Sequence, residues 1–282
     1  MIIFLNGQFV PEERATVSVF DRGFLYGDGL FESLLVRHGR PFRWRQHFER
    51  LQQGAKLLRL GIPFAAETLQ AHAAELIRLN HLPDSILRLT LSRGTGPRGY
   101  SIRGANQPLL VMSLHAAAPV DPQKPPRWRV VTASVRVPAN DLLAQVKTCN
   151  KLPQILARAE AEEQGADEAL LLNTDGTVVE GASSNLFWVH RGTVCTAPLV
   201  EGLVAGVTRA VVLELCWSLG LRHEERAARP DELRQADGVF LTLSTLGVVP
   251  VVSLDRVPVA GSPLTDQLQR AYWQRVESET RG

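Results

Sequence analysis

The order of apolar and polar residues along the first part of the chain predicts strands, two amphipathic helices and further strands. IIFLNGQFV reads as a β-hairpin that turns at Asn6-Gly7, and LFESLLVRHGRPFRW as a second hairpin that turns at residues 38–40. Apolar residues then recur at helical spacing in two segments and at strand spacing in two more. The predicted helices cover residues 46–62 and 65–80, and the predicted strands cover residues 86–94 and 108–116.

A proline-rich segment separates this part from a second one. AAAPVDPQKPPRW has four prolines in thirteen residues, which is typical of a linker. The predicted strands beyond it cover residues 129–137, 168–173, 177–181, 185–197 and 238–244, and the predicted helices cover 152–166, 207–221 and 263–278. Strands and helices alternate without a strict βαβ rhythm, so we expect an α+β protein of two domains. We place the N-terminal domain at 1–117, the linker at 118–128 and the C-terminal domain at 129–282.

Composition and charge narrow the class of protein. Hydrophobic residues make up 45% of the 282, charged residues 21%, and the net charge is +2, which gives no reason to expect a nucleic-acid partner. The apolar N-terminal stretch is too short for a signal peptide, and no apolar run is long enough for a membrane span. Three cysteines and seven scattered histidines lack metal-ligand spacing. We therefore expect a cytoplasmic protein with no bound metal and no membrane partner.

One glycine-rich stretch matches a nucleotide-binding pattern by spacing alone. GTGPRG (94–99) fits G-x-G-x-x-G, but the dinucleotide fingerprint needs a helix directly afterwards to hold the pyrophosphate. The continuation YSIRGANQP has no helical period. We interpret the stretch as a loop that presents Arg98 and Tyr100.

Lys147 lies in LLAQVKTCNKLPQ, at the end of an apolar run and just before a predicted helix. A lysine that is partly sheltered from water is more readily neutral and can attack a carbonyl. The local pattern by itself favours another interpretation, a lysine at a strand end whose ammonium reaches solvent. Cys149, two residues away, is expected to pack, because no histidine is placed to activate it.

Glu180 lies in TVVEGASSNLFWV, where an isolated carboxylate within a strand would lose its hydration. Taken alone, the segment favours a surface acid or a hairpin partner. A carboxylate that faces a pyridine nitrogen keeps that nitrogen protonated, and the ring then accepts electrons from a carbanion. Lys147 and Glu180 together would make a site for pyridoxal phosphate.

The phosphate of such a cofactor would need its own ligands. In VEGLVAGVTRAVVLEL, Gly206 precedes a predicted helix whose first N–H groups, at Val207 and Thr208, could bind an anion. Thr208 could equally cap that helix, and the two roles are compatible. Arg50 in RQHFERL offers a bidentate cation, although most helical arginines are only solvated.

These motifs together resemble one enzyme family. FDRGFLYGDGLFESL, HFERL, VKTCNKL, DEALLLNTDGTVVEGASSNLFWV and GLVAGVTRAVV resemble the fold-type IV (class IV) pyridoxal phosphate enzymes over residues 3–260. The family includes D-amino acid, branched-chain and R-selective amine transaminases and aminodeoxychorismate lyase. The resemblance implies two α+β domains of the D-amino acid aminotransferase type, with the cofactor in the interdomain cleft. It also implies a homodimer and a small amine substrate that carries a carboxylate.

The resemblance also implies roles for individual residues. Lys147 would be the Schiff-base lysine, carried by the C-terminal domain, and Glu180 would meet the pyridine nitrogen. The remaining implied cofactor contacts come from Arg50, Val207, Thr208, Ser244 and Ser183, with Ser184 and Asn185 completing the small polar run after Glu180. Phe31 would form an apolar wall, and Arg98 and Tyr100 would contact the substrate carboxylate.

Three motifs resemble the lyase more than the transaminases. The lyase pattern is matched at LSRGTGPRGYS, at TLGVVPV, where transaminases usually carry an acid at Gly247, and at GDGLFESLLV, where they usually carry tyrosine at Phe31. Ser33 and Leu35 depart from the lyase pattern. We expect an aminodeoxychorismate lyase that forms 4-aminobenzoate and pyruvate for folate synthesis. The alternative is a class IV transaminase for D-amino acids, branched-chain amino acids or R-amines.

Overall fold

The chain forms two compact units in a computed structural model that describes residues 1–117, 124 and 126–281. The first unit comprises Met1–Ala118, Val146–Asn150 and Val276–Gly282, and the second comprises Pro119–Gln145 and Lys151–Arg275. Most of the predicted linker lies outside the described residues, so that boundary stays a prediction. The sequence division assigned Lys147 to the C-terminal domain, whereas its segment makes its contacts in the first unit.

The first unit contains a six-stranded antiparallel sheet with the order β2-β1-β6-β5-β3-β4. Both predicted hairpins are present, because Asn6, Gly7, His38 and Gly39 all adopt the positive φ that tight turns require. The strands are β1 (Ile2–Leu5), β2 (Gln8–Pro11), β3 (Gly29–Arg37), β4 (Arg40–Pro41), β5 (Ser85–Ser92) and β6 (Leu109–Ala116).

Three helices accompany this sheet: α1 (Arg22–Tyr26), α2 (Trp44–Leu58) and α3 (Ala66–Asn80). The two long ones were predicted from their apolar spacing, and they bury Phe48, Leu51, Leu69 and Leu76 in one core with the sheet. The five-residue α1 was not predicted, since it is too short to show a helical period. Its start is stabilised by Asp21, whose side chain accepts from the N–H of Gly23.

The second unit contains a nine-stranded mixed sheet with the order β12-β11-β10-β13-β14-β7-β8-β9, and β15 pairs with β14. Strand β7 is parallel to both β8 and β14, while β8 and β9 are antiparallel. The strands are β7 (Trp128–Val137), β8 (Glu168–Asn173), β9 (Val178–Gly181), β10 (Asn185–His190), β11 (Thr193–Thr196), β12 (His223–Glu225), β13 (Gly238–Leu243), β14 (Gly247–Leu254) and β15 (Val257–Pro258).

One strand prediction in this unit was wrong, and the strands β12, β14 and β15 were not predicted. The single strand expected at 185–197 is a hairpin of β10 and β11, because Arg191 and Gly192 both adopt positive φ and turn the chain. Strand β14 was not predicted, since Pro250 removes a backbone donor and usually excludes a central strand. It nevertheless pairs with β13 and β7, and its register shifts between Val251 and Ser253.

Among its described residues, the second unit has four α-helices: α4 (Leu152–Glu163), α5 (Val207–Ser218), α6 (Pro230–Arg234) and α7 (Pro263–Thr280), whose last residues belong with the first unit. Helices α4, α5 and α7 were predicted. Within the described part of the chain, no helix combines the length and the apolar character needed to cross a membrane. The same residues include no group of histidine, cysteine or acidic side chains suited to a metal ion.

Candidate functional site

Lys147 lies on a short extended segment beside β3 in the first unit. The Phe31 N–H donates to the Lys147 carbonyl oxygen at 3.0 Å. Next to this bond, Leu30 and Thr148 form an antiparallel bridge. These backbone contacts hold Lys147 against the sheet, so its side chain projects from an ordered element.

Two cations lie against the ring of Phe31. Lys147 Nζ is 4.5 Å from the ring centroid, and Arg88 Cζ is 4.2 Å from it. Arg88 lies on β5 directly opposite Ser33 of β3, so Phe31, Ser33 and Arg88 share one half-buried face of the sheet. An aromatic face attracts cations, and the attraction grows as water is excluded. This face therefore combines an amine, a guanidinium and an apolar wall.

Arg88 is a residue that the sequence interpretation missed. Burial lowers the pKa of the Arg88 guanidinium, and the nearby Cys149 partly offsets this effect. No carboxylate of the described residues forms an ion pair with Arg88. A half-buried cation of this kind is stabilised when it meets an anion. The signal was present in ILRLTLS, where alternation puts this arginine on the opposite face from the core leucines.

Arg50, the predicted phosphate ligand, forms an ion pair with Glu32 of β3. Its Nε is 2.8 Å from Glu32 Oε1, and its Nη2 is 2.6 Å from Glu32 Oε2. His47 Nδ1 lies 2.7 Å from the same Oε2. His47 and Arg50 are three positions apart on α2 and so share one helix face. The sequence interpretation missed Glu32 and His47, although both stand inside the quoted motifs.

Glu180 is buried on β9 of the second unit and accepts two hydrogen bonds there. Asn185 Nδ2 and the Val204 N–H both donate to Glu180 Oε2, each at 3.1 Å. Asn185 Nδ2 also donates to the Val204 carbonyl oxygen at 3.0 Å. These donors offset part of the cost of burying the carboxylate. The burial of Glu180 excludes the surface position that the segment alone favoured, and its contact with a pyridine nitrogen stays a prediction.

Helix α5 begins at Val207, as its motif predicted. Its N-cap residue Gly206 has no side chain to satisfy the first N–H groups of the helix, and Thr208 in the first turn is buried. Uncapped N–H groups and the positive end of the helix dipole favour an anion. Ser244, the other predicted phosphate ligand in this unit, follows directly after β13.

The serines after Glu180 hydrogen-bond to a different acid. Ser183 Oγ donates to Glu168 Oε2 at 2.5 Å, and Ser184 Oγ donates to the same oxygen at 3.3 Å. Glu168 on β8 is fully buried. The contact of Ser183 with a cofactor stays a prediction, and these bonds give both serines a role in shaping the turn between β9 and β10.

The glycine-rich loop forms no helix, and a buried arginine organises it. Arg22 Nη1 donates to the Gly99 carbonyl oxygen at 2.8 Å, and Arg22 Nε pairs with Asp28 at 3.0 Å. Arg98 and Tyr100, the predicted carboxylate ligands, are both exposed, Tyr100 by 88%. The loop therefore presents these two side chains at the surface of the first unit.

Comparison with known sequences identifies related proteins along nearly the whole chain. Residues 29–254 match the family described as amino-transferase class IV. A provisionally named branched-chain-amino-acid aminotransferase of Methanocaldococcus jannaschii is 38% identical over 90% of this chain and 88% of its own length. The D-alanine aminotransferase of Bacillus licheniformis is 31% identical over 99% of both chains.

Comparison with solved structures gives the same picture. The T.th. branched-chain amino acid aminotransferase with pyridoxamine 5′-phosphate has a TM-score of 0.91 at 31% identity, covering 99% of this chain and 94% of that chain. A provisionally named 4-amino-4-deoxychorismate lyase of Legionella pneumophila has a TM-score of 0.87 at 28% identity, covering 94% of this chain and 98% of that chain.

Proposed function

Because this chain belongs to the amino-transferase class IV family, we propose that it is a transaminase that moves the amino group of an amino acid to a 2-oxo acid. Enzymes of this family use pyridoxal phosphate, which supplies an aldehyde for the amino group and a ring that accepts electrons. The main support is the 38% identity over 90% of the chain to a relative named for branched-chain transamination. The sequence motifs favoured the lyase, whereas the named relatives favour the transaminase alternative.

The described residues fit this cofactor in three respects. Lys147 provides an amine beside an aromatic wall. Glu180 provides a buried carboxylate whose cost is already offset by Asn185 and the Val204 N–H. The start of α5 provides uncapped N–H groups of the kind that bind phosphate. We propose that Arg50, Val207, Thr208 and Ser244 bind the phosphate and that Ser183 lies beside the cofactor.

Lys147 would do two tasks in this scheme. Its amine would hold the cofactor covalently, and Nζ would also be the base that takes the proton from the substrate α-carbon. The Phe31 ring lies against this amine, with its centroid 4.5 Å from Nζ, and forms an apolar wall on one side of it. Lys147 Nζ would carry this proton away from the substrate α-carbon, whereas in simple racemisation the proton returns to the same carbon.

Glu180 would keep a proton on the pyridine nitrogen of the cofactor. A protonated ring accepts electrons far better than a neutral one, so this proton makes the α-carbon of the substrate acidic. Asn185 holds the carboxylate in place for this role. The acid acts by keeping its own negative charge throughout the reaction.

The substrate would be recognised by the half-buried face of the first unit and by the glycine-rich loop. Phe31 would contact an apolar side chain, and Arg98 and Tyr100 would bind the carboxylate. Arg88 lacks an acidic partner among the described residues, so it would bind the second carboxylate of a dicarboxylic 2-oxo acid. One surface could then accept both an apolar amino acid and 2-oxoglutarate.

A second candidate function, the aminodeoxychorismate lyase, is favoured by one specific position. Gly247 adopts a φ of +69°, and a Cβ there would collide with the ring of Tyr272. The acid that transaminases usually carry at this position therefore has no room in this chain. The lyase would share Lys147 and Glu180 and would expel pyruvate instead of transferring the amino group.

One experiment separates the two candidates. The holoenzyme is incubated with L-leucine, L-valine or D-alanine and 2-oxoglutarate, and in parallel with aminodeoxychorismate, with Lys147→Ala as the control. We expect Lys147-dependent glutamate, with L-leucine and L-valine as the better donors. Lysine-dependent 4-aminobenzoate without glutamate would instead support the lyase and reject the transaminase.

A further inference from the structure

Glu32 is a buried acid on the core side of β3. It is 2% exposed, although β3 also carries Phe31 and Ser33 on its half-buried face. Alternation along the strand directs Glu32 away from that face and toward α2. A carboxylate in this position is stable only if its charge and its lone pairs are satisfied by neighbouring groups.

The neighbours of Glu32 satisfy both oxygens. Arg50 donates from Nε to Oε1 and from Nη2 to Oε2, at 2.8 and 2.6 Å, which is the bidentate arrangement that fixes the plane of a guanidinium. His47 Nδ1 lies 2.7 Å from Oε2. Because Oε2 belongs to a carboxylate that can only accept, His47 donates this bond.

The charges of the cluster indicate which groups are ionised. Burial alone would raise the pKa of Glu32, but the charge and hydrogen bonds of Arg50 and the His47 bond outweigh it and lower the pKa to about 2. Burial lowers the pKa of His47 despite its bond to Glu32. At neutral pH the cluster thus contains a carboxylate, a guanidinium and a neutral imidazole, so its net charge is zero.

This arrangement gives Glu32 a function beyond stabilising the core. Arginine is a long side chain that loses considerable conformational entropy when it is held in one orientation. Here that entropy is lost during folding, through the bidentate pair, and not when a ligand arrives. An arginine whose orientation is already fixed binds an anion more tightly for that reason.

Building on the proposed function, we propose that Glu32 is a positioning residue that holds Arg50 in the orientation required to bind the cofactor phosphate. His47 supports this role by donating to the carboxylate. Glu32 does not need to touch the cofactor, and its effect passes through Arg50. The role is therefore specific for ligands that carry a phosphate.

The test compares a ligand with a phosphate to one without. Apoprotein is titrated with pyridoxal phosphate and, separately, with pyridoxal, and the two Kd values are measured by absorbance. Glu32→Gln should weaken pyridoxal phosphate binding by about tenfold or more, equivalent to ~1.4 kcal/mol. Pyridoxal binding should stay unchanged. A purely structural role would weaken both ligands together.

The chain offers a matched control for this substitution. Glu75 and Arg78 on α3 form the same bidentate pair at 2.8 and 2.7 Å, but on the surface. Glu75→Gln should leave both Kd values unchanged. If Glu32→Gln does not fold, His47→Phe provides the second test, and it should weaken pyridoxal phosphate selectively but by less.

A double-mutant cycle shows whether the effect passes through Arg50. In an Arg50→Ala background, Glu32→Gln should cause no further loss of phosphate-dependent affinity. Equal losses for the two ligands, or additive losses in the double variant, would refute the positioning role. If the unaltered apoprotein bound no pyridoxal phosphate, the proposed function itself would fail, and the two failures are thus distinguishable.

Discussion

At the scale of single residues, each unit contains a buried acid whose carboxylate accepts hydrogen bonds from identified donors. Glu32 in the first unit is neutralised by Arg50, whereas Glu180 in the second unit accepts from the neutral groups of Asn185 and Val204. These donors reduce the cost of burying the Glu180 carboxylate. We propose that this carboxylate faces the pyridine nitrogen of the cofactor.

Replacing Glu180 by glutamine should lower kcat by about a hundredfold or more, the range typical of losing an acid–base group. The amide fits the same space but cannot hold a proton on the pyridine nitrogen. Steady-state kinetics of the loaded variant would measure the effect, with circular dichroism to check the fold. A kcat within about twofold of the original enzyme would contradict this role.

Glu32 should make stability depend on pH in acid. Its pKa is lowered to about 2 from 4.5, so between these values the unfolded chain binds a proton that the folded protein does not. The free energy of unfolding should therefore fall as the pH drops through this window. Denaturant titrations at several pH values would show a shallower fall in Glu32→Gln, and an identical fall would refute the expectation.

Sequence signals were strong for some of these residues and weak for others. Lys147 and Glu180 stand in long motifs, so their chemistry was predicted from neighbouring residues. Arg88 and Glu32 were not identified, because a charge within an alternating strand looks like an ordinary exposed position. The pairing of β3 with β5 shows which face of the sheet Arg88 occupies. The hydrogen bond from Arg50 of α2 shows which face Glu32 occupies.

At the scale of elements, the start of α5 depends on a close approach to Asn185, the first residue of β10. Gly206 lies so near Asn185 that a Cβ would collide with the Asn185 amide oxygen. Since Asn185 also donates to Glu180, one glycine links the helix start to the buried acid. The motif GLVAGVT predicted the helix, but not this contact, because Asn185 is twenty-one residues away.

Gly206→Ala should displace Asn185 and destabilise the protein by roughly 1–3 kcal/mol, the usual range for overpacking. It should also weaken cofactor binding, because α5 and Glu180 would both shift. Thermal denaturation and cofactor titration would measure the two effects. Gly261→Ala is the matched control, since a Cβ there meets open space and should change neither quantity.

Strands were predicted less well than helices in the second unit. The hairpin of β10 and β11 was read as one strand, although His190-Arg191-Gly192 interrupts two apolar runs. The pairing of β14 on both sides tolerates Pro250, which a rule based on local sequence excludes. The first case was a local turn signal that the sequence interpretation overlooked. Tertiary pairing decided the second case, and it is not visible in a window of a few residues.

At the scale of the whole molecule, each unit exposes large apolar side chains that water disfavours. Phe20 and Phe24 of the first unit are 68% and 73% exposed, and Leu152 and Ile155 on one face of α4 are 71% and 59% exposed. Apolar groups gathered in this way commonly mark an interface between proteins. They support the homodimer that the family resemblance implied.

Light scattering should therefore give twice the chain mass of 31.1 kDa. Ile155→Asp should shift the protein toward the monomer, because a charge would be buried without a partner in the interface. Val257→Asp, at an exposed valine on β15, serves as the control and should leave the mass unchanged. A monomeric original protein would contradict the proposal.

If Lys147 holds the cofactor as we propose, borohydride reduction of the loaded protein should show it. Reduction fixes the cofactor to its lysine, and tandem mass spectrometry of the digested protein then locates the modification. The chain has only four lysines, Lys56, Lys124, Lys147 and Lys151, so the assignment is unambiguous. We expect a pyridoxyl group on Lys147 alone. A modification on Lys151, or on none of the four after cofactor loading, would contradict it.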